Sequence, residues 1–122
     1  MAGTVTKSEL TVFSVKKVAF TWLSDGSGNA TSTTTSPFTG MVQRVIQLPD
    51  GGGTQPTTLY DVVVNDSDGV DVLHGLGANL SNAVPTIKDY THGVGAVVNS
   101  TLSLSVTNAG INKGGKTIIY LR

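Results

Sequence analysis

Residues 101–107 alternate with period two: Leu102, Leu104 and Val106 fall on one side, and Thr101, Ser103, Ser105 and Thr107 on the other. Only an extended strand sends every second side chain to the same face, so this stretch reads as a strand with one buried and one solvated side. The same reading applies to residues 10–15 and 17–23, where Val18, Phe20 and Trp22 share a face. Residues 30–36 are mostly Thr and Ser and read as an exposed edge strand. Further strands are expected at 40–48, 58–66, 70–74, 94–99, 101–107 and 116–122. Turns separate them wherever Gly, Pro, Asn and Asp cluster, as in 25–29, 49–56 and 108–115. Ser67-Asp68-Gly69 is expected to close a hairpin between 58–66 and 70–74. Residues 75–90 read as a long loop.

No stretch carries helical periodicity. The expected fold is therefore all-β: an antiparallel β-sandwich, jelly-roll-like, of about eight or nine short strands. The 122 residues suit one domain, 1–122, with residues 1–8 as a possible extended N-terminal arm that reaches a neighbour. There is no cysteine, which removes disulfides, thiolate metal sites and cysteine nucleophiles. Charged residues make up 13% of the chain and the formal net charge is zero. DNA or a bilayer surface demands a basic excess that this balance does not provide, so neither nucleic acid nor membrane is an expected partner. A weakly charged surface at zero net charge favours association. The start of the chain lacks the apolar core of a signal peptide, and no apolar run approaches the roughly 20 residues that span a bilayer.

Charge is uneven along the chain. Residues 49–92 hold Asp50, Asp61, Asp66, Asp68, Asp71 and Asp89 against Lys88 alone. The cluster from Asp66 to Asp71 has the oxygen-rich character of a calcium loop, but its Gly comes too early for an EF-hand and no Glu closes it. A β-turn accounts for it better, because Asp accepts turn geometry and Gly supplies positive φ. His74 and His92 are the only histidines and have no metal-binding spacing. The chain has no GxSxG elbow, and Glu9 is its only glutamate, so neither serine hydrolysis nor a glutamate pair is expected. No catalytic residue, cofactor or metal is assigned, and the expectation is a protein that binds or assembles. Trp22, Tyr60 and Tyr120 lie in expected strands and suit a core, whereas Tyr90 suits an exposed position.

The run Leu59-Tyr60-Asp61-Val62-Val63-Val64-Asn65-Asp66-Ser67-Asp68-Gly69-Val70-Asp71-Val72-Leu73 resembles a segment of small structural proteins of tailed bacteriophages. In that family a tyrosine-aspartate strand leads into an Asp-Gly turn and a Val-Asp-Val-Leu strand. The glycine-rich loop from Gly75 to Ser81 and the segments Leu102 to Gly110 and Lys113 to Leu121 are similar too. The likeness covers about the last two-thirds of the chain; residues 1–39 are outside it. It implies a virion component, made in the bacterial host cytoplasm, and the first expectation is a capsid decoration (cement) protein. Its partners would be copies of itself, as a homotrimer, and the major capsid protein or other virion proteins. A tail, neck or fibre subunit is the alternative within the virion, and a carbohydrate-binding module the alternative outside it. Tyr60, Asp61, Asp66, Asp68, Asp71 and Tyr90 mark the candidate contact regions, on the hairpin and on the loops 49–56 and 75–90.

Overall fold

A computed structural model describes residues 3–90 and 95–122. Two antiparallel sheets pack face to face. Nine strands are present among the described residues: β1 (Thr4–Val12), β2 (Val15–Leu23), β3 (Ala30–Thr33), β4 (Phe38–Pro49), β5 (Asp61–Asn65), β6 (Thr86–Asp89), β7 (Ala96–Ser100), β8 (Ser103–Thr107) and β9 (Gly114–Leu121). The larger sheet has the order β1-β2-β9-β4-β6, with β7 sharing the outer edge of β4; the smaller has the order β3-β8-β5. Among the described residues helical structure is limited to a single 3-10 turn, Gly52–Thr54. The expected all-β sandwich is the observed fold.

The alternation read from the sequence decides which side chains meet between the sheets. From the larger sheet come Val18, Phe20 and Trp22 of β2, Ile119 and Leu121 of β9, and Val45 of β4; from the smaller come Val62, Val64, Leu104 and Val106. Burying side chains of this size contributes roughly 1.5–3 kcal/mol each, so these inner faces dominate the stability. Trp22 and Tyr60 meet across the core with ring centroids 5.6 Å apart and planes tilted by 49°. Gly115 lies opposite Trp22 on β9, where a Cβ would sit 2.6 Å from the indole ring. The absence of a side chain there is what admits the tryptophan.

Three expectations about elements need correction. The turn between the first two strands falls at Phe13-Ser14, inside the strand expected at 10–15; Ser14 is the one turn-type residue there, and no Gly, Pro, Asn or Asp marks the position. The expected arm is, from Thr4 onward, part of β1 and is paired with β2. The returning strand expected at 70–74 does not form. Val72 donates its N–H to Val64 O at 2.7 Å, but the Asp71 carboxylate then takes the amides of Leu73 and Gly75, and His74 adopts φ +52. The chain curls into consecutive turns that follow β5 to Leu80. In addition, the stretch read as a loop, 75–90, contains β6; with Ile87 as its one apolar residue, that short edge strand shows no alternation.

Candidate functional site

Three of the four acidic candidates, Asp61, Asp66 and Asp71, are committed to backbone amides. Asp66 accepts N–H groups from Asp68 (2.9 Å) and Val70 (3.1 Å), closing the turn around Gly69, whose φ is +80. Asp71 accepts from Val64 (3.3 Å), Leu73 (3.0 Å) and Gly75 (2.9 Å). Asp61 accepts from the Asn79 N–H (2.8 Å) and from the Asn108 side-chain amide (2.7 Å), joining two loops to the start of β5. Asp68 is exposed at the turn. Among the described residues no three His, Cys, Asp or Glu side chains group so as to hold a metal ion. These carboxylates do what short polar side chains do in turns: they replace the partners that irregular backbone lacks.

The aromatic candidates are also placed. Tyr60 is only 1% exposed, so its side chain presents no surface. Burial, with a smaller effect from Asp50, pushes its phenol up to about 12. Tyr90 is half-buried rather than exposed; its hydroxyl is enclosed with no hydrogen-bond partner among the described residues, and burial raises its pKa. His74 sits exposed on a turn, and His92 lies outside the described residues.

What the structure leaves outward is apolar, and it gathers where sequence reasoning did not look. Leu10, Val12, Phe13 and Val15 surround the tip of the β1–β2 hairpin, with exposures of 52%, 51%, 98% and 40%. Phe13 adopts φ +54, a left-handed conformation that costs a bulky residue energy. Val12 and Val15 are cross-strand partners and share the outer face of the larger sheet with Leu10. That face continues as a cross-strand ladder, Ser8–Ala19–Ile118–Ile46–Ile87. Beside it runs Leu10–Lys17–Tyr120–Arg44–Asp89, in which the Lys17 ammonium lies 5.9 Å from the Tyr120 ring centre and Arg44 pairs with Asp89 at 2.9 Å. An outer sheet face is usually polar, whereas this one has an apolar centre. The opposite outer face, on the smaller sheet, carries Thr31, Thr33, Ser103, Ser105 and Thr107.

The signal that could have located this region was present in the sequence: Leu10 and Val12 alternate, and Val15 follows three residues on. It was indistinguishable from core alternation until the pairing was known. What this apolar arrangement can do chemically is bury surface against another molecule. Comparison with protein-family models, with curated proteins and with solved structures finds no match.

Proposed function

We propose that this chain is a structural subunit of a bacteriophage particle, a capsid decoration protein that binds the outer shell and stabilises it through contacts repeated by symmetry. The observation that carries the reading is the contrast between two sets of residues. Asp61, Asp66, Asp71 and the buried aromatics are engaged in turns and core, while large apolar side chains are exposed together on a projecting hairpin. An exposed apolar cluster of that kind marks an interaction surface. The resemblance of residues 59–73 to phage structural proteins supplies the setting. Mechanistically, each contact contributes modestly, and a symmetric shell multiplies it into high avidity.

An antibody raised against the purified chain tests this directly. It is applied to particles of the phage whose genome encodes the sequence and viewed by electron microscopy. Label distributed over the shell is expected. Label confined to tail or neck would replace decoration with the tail-subunit reading, and unlabelled particles would overturn a virion role.

A further inference from the structure

We propose that the free edge of β1 pairs with β1 of a second copy across a two-fold axis at Ser8, and that Phe13 of each copy seats in a cavity of the other. Among the described residues β1 has one neighbour in its sheet, β2, and no other backbone pairs with it. The direction of its free groups follows from the ladder. Ser24 donates its N–H to Lys113 O at 2.7 Å, so the even-numbered residues of β2 turn their backbone toward β9 and the odd-numbered ones toward β1. Their partners Thr4, Thr6, Ser8, Leu10 and Val12 therefore face β2, which leaves Val5, Lys7, Glu9 and Thr11 with N–H and C=O groups aimed outward.

Such an edge is a template for another strand. The occupant that fits it is a second copy, because the strand is complementary to itself. Ser8 is the midpoint of Thr4–Val12. Antiparallel pairing about it places Lys7 opposite the partner's Glu9, and Val5 opposite the partner's Thr11, every outward-directed residue meeting another. Opposite charges across a strand pair stabilise and like charges destabilise. Sliding the register by two residues sets Lys7 against the partner's Lys7, or Glu9 against the partner's Glu9. Inward-directed charges on an edge usually prevent pairing; here their signs restrict it to one register. Both side chains are already held in place, Lys7 by Thr33 O (2.7 Å) and Glu9 by the amides of Thr35 and Ser36 (3.1 and 2.9 Å).

The same register brings Phe13 level with the partner's Gly3. Gly3, Asp25, Asn29, Ala30 and Thr31 line an open cavity of about 240 Å³, larger than the ~150 Å³ cavity that admits a benzene ring. The Asp25 carboxylate at its rim accepts the amides of Asn29 and Ser27 on Oδ1, and these bonds hold its pKa below the ordinary value. An aromatic side chain 98% exposed at one end of β1 thus meets a cavity at the other end, and the two-fold axis joins them twice. The resulting dimer differs from the trimer expected from the resemblance.

Light scattering over a dilution series, combined with two single-thiol variants of this cysteine-free chain, tests the pairing. Twice the chain mass is expected. On the axis, the two copies of Ser8 form a non-hydrogen-bonded pair with Cα atoms about 4.5 Å apart, inside the disulfide range. Ser8→Cys should cross-link rapidly on oxidation, and Thr6→Cys, whose opposite residue is the partner's Leu10, should not. Phe13→Gly relieves the left-handed backbone, so it should preserve or raise Tm while weakening the dimer roughly a hundredfold or more. A chain that stays monomeric at every concentration, a trimeric mass, or equal cross-linking of both thiol variants would overturn the pairing. The inference draws on the same hairpin as the virion reading, taking Phe13 for the dimer and leaving Leu10, Val12 and Val15 on the outer face; a dimer whose antibody leaves phage particles unlabelled keeps the pairing and removes the decoration role.

Discussion

Replacing Asp71 isolates the device that ends regular pairing along β5. Its carboxylate satisfies three amides: Val64 at 3.3 Å, Leu73 at 3.0 Å and Gly75 at 2.9 Å. Val64 is fully buried, so its N–H has no route to water once the carboxylate is gone. Hydrogen bonds to an ionised acceptor contribute roughly 1.5–3 kcal/mol each. The Val64 bond is long and Asp71 is half-buried, so Asp71→Ala should destabilise by about 2–4 kcal/mol rather than by the full sum. Asp71→Asn retains the oxygen facing Val64 and Leu73 but turns an NH2 toward the Gly75 amide, and should cost about 1–2 kcal/mol. Asp68→Ala, at an exposed position whose carboxylate accepts no bond among the described residues, is the control and should stay within about 0.5 kcal/mol. Urea denaturation read as a shift in midpoint at constant m separates the three. If Asp71→Ala matched Asp68→Ala, the carboxylate would not be bracing the turns and the account of this segment would fail.

Calcium at millimolar concentration should leave the thermal midpoint unchanged, since Asp66 and Asp71 are engaged with amides; a rise of several degrees would restore the cation reading. Tyr60 holds its proton more tightly folded than unfolded, so its contribution is complete below pH 10 and is lost as pH rises toward about 12. Thermal midpoints should therefore fall over that interval in the parent and fall less in Tyr60→Phe; identical slopes would refute the assignment. Gly115→Ala forces a methyl group against the Trp22 ring and should destabilise by about 1–3 kcal/mol, with red-shifted tryptophan emission. Unaltered emission and stability would show that the Trp22–Gly115 contact is looser than the structure describes.

Much of this fold was legible because alternation is a local property. Leu102, Leu104 and Val106 declare a half-buried strand without reference to the rest of the chain, and they line the core as expected. The turn reading of Asp66-Ser67-Asp68-Gly69 was equally local, since a short carboxylate and a glycine at φ +80 are all the turn needs. Elements whose cause lies elsewhere were not visible. β6 exists because β4 offers it an edge, and the strand expected at 70–74 fails because Asp71 captures amides on both sides of it. The candidate contact residues divide the same way: Tyr60 was placed by a long-range meeting with Trp22, which no spacing along the chain encodes.

The sequence by itself determined that this protein is all-β, which faces of its strands are apolar and where most of its turns fall, because side-chain direction and turn chemistry are decided within a few residues. Only the tertiary structure decided which strands share a sheet, which edge is left open and which apolar run stays in water. Those outcomes depend on ladders between residues far apart in the chain, such as Lys16 with Leu121 and Val42 with Leu121. Leu10 and Val12 alternate as a core strand does; with Val15 they are exposed because they lie on the outer face of the larger sheet, where no other described strand packs over them.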